Sequence, residues 1–280
     1  MIIDFHTHTF PDKIAAAAIG KLQDMAHIPA FTNGTVQGLA DSMQAAQIKT
    51  SVVLPVATNP AKVQSMNDVS VQLDGQNGLV YFGCAHPDME NPKEEMRRIA
   101  CAGLKGVKIH PVYQGVDMDD VRFLRILEAA GEENLIVVTH AGDDIGFPGV
   151  THCAPRMIKS ALKQVGPVKF IAAHMGGWHN WDEVMQELPD SSVMIDTSFS
   201  LGAITPRSGE NHYTQEQLQL LSAERFCEIV RLFGSERVLF GSDSPWGCQT
   251  QAVRDFLNLP LTENEKQDIL HHNALRLLKI

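Results

Sequence analysis

Short runs rich in Val and Ile, each bounded by Gly, Pro or Asn, recur along the chain and predict β-strands. Most of these runs are continuously apolar and do not alternate with polar residues, which is typical of parallel strands covered on both faces. The pattern therefore predicts a largely parallel sheet. The predicted strands are at 2–6, 51–56, 79–85, 106–110, 135–140, 168–174, 192–197 and 237–243.

Helical patterns lie between the predicted strands. The segment 118–131 places Val121, Leu124 and Leu127 at helical spacing, with acidic residues at its start and a glycine at its end. Thr262, followed three residues later by Glu265, predicts a capping box at the start of a last helix over about 263–278. Further helices are predicted at 61–73, 93–102, 154–165, 181–188 and 215–233.

This alternation predicts an α/β fold, a (β/α)8 TIM barrel formed by a single domain over residues 1–280. An open doubly wound sheet is the alternative, but no Gly-x-Gly-x-x-Gly motif follows the first strand. Two longer stretches, at about 10–36 and 199–216, are then insertions after strands 1 and 7. Because both would lie on the same rim of the barrel, they could cover a substrate.

Histidine and aspartate residues stand at the ends of the predicted strands. His6 and His8 end the first strand, and side chains two residues apart point to the same face of a strand, so their imidazoles would aim at one point. Catalytic residues of such barrels lie at the carboxyl ends of the strands. This placement predicts a metal centre in a cleft at that face. The other candidates at strand ends are Lys108, His110, His140, His174 and Asp243.

The motifs at these strand ends resemble the amidohydrolase superfamily. The resemblance is to its amidohydrolase-2 branch, which contains metal-dependent hydrolases, hydratases and decarboxylases similar to aminocarboxymuconate-semialdehyde decarboxylase. It extends from His6 to the end of the chain. It rests on motifs in a fixed order, at 6–8 (HTH), 106–111 (GVKIHP), 139–142 (THAG), 173–177 (AHMGG), 241–246 (GSDSPW) and 273–278 (NALRLL).

The resemblance implies that four residues bind one divalent metal. The ligands would be His6, His8, His140 and Asp243, and Asp243 would also accept a proton from the attacking water. An imidazole-rich ligand set favours zinc, although Mn²⁺, Fe²⁺ or Co²⁺ would fit nearly as well. Zinc lowers the pKa of a bound water from about 15.7 to ~7, which would supply hydroxide at neutral pH.

Two of the matched positions depend on the number of metals. His174 matches a histidine that is an acid or base in one-metal relatives and a ligand in two-metal relatives. Lys108 matches a lysine that is carboxylated and bridges two metals in dihydroorotase-like relatives. We predict one metal, with His174 as acid or base. Lys108 is then unmodified and either contacts the substrate or forms a hydrogen bond in the barrel mouth.

Several residues are predicted to act on the substrate. His110, or His174, would polarise the attacked carbonyl. Trp178 and Trp246 would stack on the substrate, and Arg207 in the strand-7 loop would bind a substrate carboxylate.

Composition and charge limit the partners. The formal net charge of −10 and the absence of a basic run argue against nucleic acid, and no segment approaches the ~20 apolar residues of a membrane span. An odd number of cysteines, 5, without a Cys-x-x-Cys pair indicates reduced thiols and a cytoplasmic location. Candidate ligands that begin at residue 6 argue against a signal peptide. The expected partner is a small-molecule substrate, and a homodimer is compatible with the sequence.

The leading hypothesis for function is metal-dependent hydrolysis of a carbonyl-type bond, an amide, ester or lactone, in a small polar molecule. The alternative is a lyase that decarboxylates or hydrates a small carboxylic acid at the same site. Metal-dependent cleavage of phosphoesters or DNA is disfavoured by the acidic charge and by the lack of a strand-4 glutamate. A metal-binding scaffold without activity is disfavoured because it would not need the proton acceptor Asp243.

Overall fold

The computed structural model describes residues 1–280 and contains nine strands and twelve α-helices. The strands are β1 (Ile3–Thr7), β2 (Thr50–Val53), β3 (Leu79–Tyr81), β4 (Gly83–Cys84), β5 (Gly106–Ile109), β6 (Ile136–Thr139), β7 (Lys169–Ala172), β8 (Met194–Asp196) and β9 (Val238–Leu239). The helices are α1 (Asp12–Ala26), α2 (Val36–Ala45), α3 (Val63–Leu73), α4 (Pro92–Cys101), α5 (Pro111–Gln114), α6 (Val121–Glu132), α7 (Pro155–Gln164), α8 (Trp181–Glu187), α9 (Ala223–Phe233), α10 (Gln249–Leu257), α11 (Glu263–Gln267) and α12 (Asn273–Leu278).

The chain forms two compact units, each assembled from segments that are separated in sequence. The first unit consists of Met1–Ser51, Ile145–Phe147 and Thr197–Ile280. The second unit consists of Val52–Asp144 and Pro148–Asp196. No helix of either unit is both long enough and apolar enough to cross a membrane.

The second unit contains a parallel sheet with the strand order β4-β5-β6-β7-β8. Its inner strands are covered on both faces, since the side chains of Val107, Val137 and Ile171 are all fully buried. The continuous apolar runs therefore indicated parallel strands correctly. Helices α3 to α8 connect successive strands of this unit.

The third predicted strand, 79–85, is present as two short strands. Phe82 donates its backbone N–H to the carbonyl of Val53 at 3.0 Å, whereas Ala85 donates to the carbonyl of Lys108 at 3.1 Å. The chain thus changes its partner strand within one apolar run. Hydrophobic pattern alone does not report such a change, because both halves are equally buried.

Two predicted helices begin later than their apolar patterns suggested. Helix α6 begins at Val121 because Asp120 is its N-cap, with a side-chain oxygen that accepts the N–H of Arg122 at 2.9 Å. Helix α9 begins at Ala223, so the prediction of helix over 215–222 is wrong. Residues 215–218 form a turn instead, and Gln219 and Leu221 form bridges with Ala203 and Leu201 in the chain after β8.

In the first unit, β1 runs parallel to the chain that follows β9. Phe5 donates its N–H to the carbonyl of Phe240 at 2.7 Å, and Asp243 donates to the carbonyl of His6 at 2.9 Å. This pairing brings the 241–246 motif beside the carboxyl end of β1. The two ends of the sequence therefore meet within one unit.

The two predicted insertions also contact each other in the first unit. Helix α1 occupies most of the stretch 10–36. Tyr213 donates its hydroxyl to the carbonyl of Ala26 at 2.8 Å, and Arg207 pairs with Asp24 at 2.6 Å. It stays a prediction that these two stretches are insertions in a single domain and that they lie over the rim of the barrel.

The carboxyl-terminal segment confirms the predicted capping box. Glu265 donates its N–H to Thr262 Oγ1 at 3.3 Å, and Thr262 donates its N–H to Glu265 Oε2 at 2.7 Å. The predicted helix continues through a π-helical turn at Asp268–His272 into α12. Asn273 then donates its amide to the carbonyl of Val238 at 2.7 Å and anchors the segment to β9.

Candidate metal centre

Three of the predicted ligands meet at the end of β1 in the first unit. His6 and His8 lie two residues apart on the strand, and Asp243 follows β9. Asp243 Oδ1 is 3.2 Å from His8 Nε2 and 3.5 Å from His6 Nε2. The side chain of His6 is 1% exposed and that of Asp243 is 10% exposed, so the group is nearly closed to solvent.

The spacing of these three ligand atoms fits a divalent metal. All of them lie within 4.8 Å of one another. Ligands bound at about 2.1 Å with a tetrahedral angle would be about 3.4 Å apart, close to the two distances seen here. Two imidazoles and a carboxylate are also a donor set that zinc and the neighbouring transition metals accept.

Asp4, a residue that the sequence analysis did not identify, forms hydrogen bonds with the segments that carry this group. Its fully buried carboxylate accepts hydrogen bonds from the N–H of His6 at 3.2 Å, from the N–H of Ser242 at 3.0 Å and from Gln249 Nε2 at 2.7 Å. Burial raises the pKa of Asp4 to about 6, and the hydrogen bonds from Gln249 and Ser242 oppose that rise. A charged residue inside the apolar run of the first strand was the signal that could have revealed it.

A second group of ligand-type side chains lies in the second unit. His110 Nε2 and His140 Nε2 are each 3.7 Å from Asp144 Oδ2. The two imidazole rings are stacked, with centroids 4.2 Å apart and planes 13° apart. The ligand atoms of these three residues lie within 4.8 Å of one another, so they form a second candidate group for a metal. The near-parallel rings and the 2.9 Å contact of His140 Nε2 with the carbonyl oxygen of Asp143 make this group less well aligned for one ion than His6, His8 and Asp243.

His140 and His174 face each other through their remaining ring nitrogens. His140 Nδ1 is 3.0 Å from His174 Nε2, and the ring planes are 61° apart. The backbone N–H of His174 donates to Asp196 Oδ1 at 3.1 Å, which fixes the start of the 174–177 turn. The structure therefore brings His110, His140 and His174 together. The contribution of His140 to the metal centre of His6 stays a prediction.

Asp144 is the second residue that sequence analysis did not identify. It lies two residues after the 139–142 motif and is 7% exposed. The pair of acidic residues at 143–144, after a strand that ends in histidine, was the available signal. The carboxylate lies beside two imidazoles, so it would stabilise a positive charge on either ring.

The other predicted residues of the second unit are buried near this group. Lys108 is 1% exposed, in agreement with a strand position that is covered on both faces. Tyr113 donates its N–H to His110 Nδ1 at 3.3 Å, so the imidazole caps α5 and presents Nε2 on its other side. Trp178 is 7% exposed and packs edge-on against His179 at 4.1 Å.

The two remaining predicted substrate contacts lie in the first unit. Trp246 donates its N–H to the carbonyl of Asp243 at 2.8 Å. It also lines a cavity of about 90 Å³ together with Phe31 and Phe199. The guanidinium of Arg207 is 2.6 Å from Asp24 and 3.5 Å from a Glu210 oxygen. Arg207 is thus already paired with carboxylates of the chain itself.

Known proteins provide an independent comparison with this geometry. A family model described as amidohydrolase matches residues 3–280, and no curated protein matches the sequence. A 5-carboxyvanillate decarboxylase from Sphingomonas paucimobilis is 17% identical, with a TM-score of 0.71 over 100% of this chain and 99% of the other. An uncharacterized TIM-barrel protein from Bordetella bronchiseptica is 17% identical, with a TM-score of 0.71 over 99% and 98% of the chains.

A third similar structure, of 5-carboxyvanillate decarboxylase from Novosphingobium aromaticivorans with bound manganese, is 14% identical, with a TM-score of 0.68 over 100% and 97% of the chains. At these identities the structural similarity shows the fold alone, and it confirms the predicted α/β TIM barrel. The family model covers nearly every residue and includes all the motifs at the strand ends. The chain therefore belongs to the amidohydrolase family of enzymes, in its amidohydrolase-2 branch.

Proposed function

We propose that the protein is a metal-dependent hydrolase that cleaves an amide, ester or lactone bond in a small polar molecule. The observation that carries this proposal is the position of Asp243, whose carboxylate oxygen is within 3.5 Å of the Nε2 atoms of both His6 and His8. These three residues would hold a divalent metal, with zinc preferred, and His140 is the proposed fourth ligand. A metal bound there would lower the pKa of a water molecule and polarise a carbonyl group.

The carboxylate of Asp243 performs the proton transfers in this proposal. It accepts the proton of the attacking water and passes it to the leaving oxygen or nitrogen. Its backbone N–H donates to the carbonyl of His6 at 2.9 Å, so the carboxylate is held beside the imidazoles. A rigidly held base does not have to be reoriented during the reaction.

His110 and His174 are the proposed partners of the substrate oxygen. Because the N–H of Tyr113 points at His110 Nδ1, the Nε2 atom of that ring is the one that can donate. Asp144 lies 3.7 Å from the same Nε2 atom and would favour positive charge there as the oxygen becomes negative. His174 is proposed as a second acid or base, and Lys108, Trp178 and Trp246 are proposed as substrate contacts.

Decarboxylation of a small carboxylic acid is the second candidate function. It is favoured by the two similar structures of 5-carboxyvanillate decarboxylase, one of which holds manganese. Arg207, the proposed clamp for a substrate carboxylate, argues in the other direction because Asp24 and Glu210 already neutralise it. Hydrolysis is therefore our first proposal.

A panel of substrates separates the two reactions. Protein loaded with Zn²⁺ or Mn²⁺ is incubated with lactones, aryl esters and anilides on one side and with hydroxybenzoic acids on the other. We expect metal-dependent release of acid from members of the first group, with no release of CO₂ from the second. Release of CO₂ without hydrolysis would contradict the first proposal and support the second. The predicted homodimer and the cytoplasmic location stay predictions.

A further inference from the structure

His6 is the most enclosed of the residues proposed to bind the metal, and both of its ring nitrogens have defined neighbours. Its Nε2 atom faces Asp243 at 3.5 Å. Its Nδ1 atom is 3.1 Å from the hydroxyl oxygen of Ser198. The residues His6 and Ser198 are 1% and 0% exposed, so water does not compete freely for this hydrogen bond.

We propose that Ser198 is a positioning residue that selects the atom through which His6 binds the metal. A neutral imidazole carries one proton, on either Nδ1 or Nε2, and only the other nitrogen has a lone pair for a metal. The Ser198 hydroxyl accepts the hydrogen bond of Nδ1–H and so leaves the lone pair on Nε2, toward Asp243. This inference rests on the proposed metal-dependent function.

The backbone around Ser198 explains why its hydroxyl stays in place. The preceding residue, Thr197, donates its N–H to the carbonyl of Leu239 at 3.0 Å, and the N–H of Gly241 donates to the Thr197 hydroxyl at 2.9 Å. On the other side, Ser200 donates its hydroxyl to the carbonyl of Ser198 at 2.8 Å. The segment is thus fixed before and after the serine.

Gly241 allows the histidine and the serine to approach each other. A Cβ atom at Gly241 would lie 2.9 Å from His6 Cβ and 3.2 Å from Ser198 Cβ. Close packing at Gly241, together with the backbone hydrogen bonds, therefore restricts the movement of His6 and Ser198.

The arrangement differs from that of His140. There, a backbone carbonyl, that of Asp143, is 2.9 Å from Nε2, so Nδ1 is the nitrogen with the lone pair. At His6 the hydroxyl of Ser198 is the acceptor, and it faces Nδ1, so the lone pair is on Nε2. Partners of this kind commonly change metal affinity about 10- to 100-fold when they are removed.

Zinc affinity tests the inference on the full-length protein. The dissociation constant for Zn²⁺ is measured by competition with a chelator in the wild type, in Ser198→Ala and in Ser200→Ala. We expect about 10- to 100-fold weaker binding in Ser198→Ala. Ser200→Ala removes a hydrogen bond to the backbone of Ser198 but leaves the Ser198 hydroxyl in the protein, so it should weaken zinc binding clearly less than Ser198→Ala.

Unchanged zinc affinity in Ser198→Ala would overturn the inference. Equal weakening in Ser198→Ala and Ser200→Ala would also overturn it, because loop packing would then be the cause. Failure of the wild type to bind Zn²⁺ more tightly than His6→Ala would be a different result, since it would overturn the proposed metal-dependent function itself.

A spectroscopic measurement on the wild type avoids any folding defect of the variants. The zinc-loaded protein with ¹⁵N-labelled histidine should show, for His6, a proton bonded to Nδ1 and none on Nε2. The resonances of His6 are assigned by their loss in His6→Gln. Zinc bound through Nδ1 of His6 would overturn the inference.

Discussion

At the scale of single residues, the candidate metal centre consists of side chains that local geometry alone would not hold together. His6 and His8 share one face of β1, and the carboxylate of Asp243 approaches them from the chain after β9. Asp4 ties the two segments together, since it accepts hydrogen bonds from His6 and from Ser242. The positions of two of the proposed ligands, His6 and Asp243, therefore depend on a neighbour that is not itself a proposed ligand.

The first prediction concerns the carboxylate of Asp243. The variant Asp243→Asn keeps the size of the side chain but removes the proton acceptor. We expect kcat to fall by about 10²-fold or more, with a modest loss of metal. Steady-state kinetics and metal analysis of the same preparation measure the two effects separately. Wild-type turnover in the variant with metal still bound would show that another group accepts the proton.

The second prediction concerns the close packing around Gly241. In Gly241→Ala the new Cβ would meet His6 Cβ at 2.9 Å, so His6 must move and zinc binding should weaken by about 10-fold or more. The matched control is Gly20→Ala, because nothing lies within 4 Å of a Cβ at that position. The control variant should bind zinc normally and gain roughly 0.5–1 kcal/mol of stability, since Gly20 lies within helix α1. Normal zinc affinity in Gly241→Ala would contradict this account of the packing.

At the scale of secondary-structure elements, capping residues predicted where a helix begins better than apolar patterns did. The capping box at Thr262 was predicted from two residues and is present in full. By contrast, the helix predicted over 215–233 begins only at Ala223, after the N-cap Ser222. Capping depends on side chains that are adjacent in sequence, whereas the pairing of residues 219–221 depends on a distant partner segment.

The third prediction concerns the capping box of helix α11. The variant Thr262→Ala should lower the free energy of unfolding by about 1 kcal/mol at neutral pH. Urea denaturation measures this loss, and Glu263→Gln, in the same turn but outside the box, should change stability little.

The capping box should also depend on pH. Hydrogen bonds from the N–H and the hydroxyl of Thr262 lower the pKa of Glu265. The stabilisation is then fully present above the ordinary glutamate pKa of about 4.3 and is lost as the pH falls through the lower folded-state pKa. The difference between wild type and Thr262→Ala should therefore shrink in acid, and a constant difference across that range would contradict the prediction.

At the scale of the whole molecule, the amidohydrolase fold and a bound metal should stabilise each other. A ligand that binds only the folded state at 100 times its dissociation constant adds about 2.7 kcal/mol to the free energy of unfolding. The fourth prediction is that Zn²⁺ raises the Tm of the wild type and that chelation reverses the rise.

Variants of single histidines locate the residues responsible for that rise in Tm. His6→Ala should abolish it, and His140→Ala should reduce it if His140 is the fourth ligand. The matched control is His272→Ala, because the side chain of His272 is 54% exposed and pairs with Asp268. A zinc-dependent Tm that is unchanged in His6→Ala would place the metal elsewhere. A normal response in His140→Ala would remove that residue from the ligand set.

The features that could be predicted from the sequence were either local or repeated along the chain. Eight apolar runs alternating with helical patterns predicted the barrel, because strand and helix periodicities are properties of neighbouring residues. The spacing of His6 and His8 predicted their shared face for the same reason. The family motifs at the strand ends added Asp243 and the histidines of the second unit.

Contacts between residues far apart in the chain could be identified only from the folded structure. Ser198 reaches His6 across 192 positions, and Asp4 reaches Ser242 across 238. No periodicity or spacing reports such pairs, because each is created when buried strands from opposite ends of the chain align. The ligand-type residues could therefore be predicted from their own segments. The atom through which each would bind a metal depends on polar partners, such as Ser198 for His6, that become neighbours only when the chain folds.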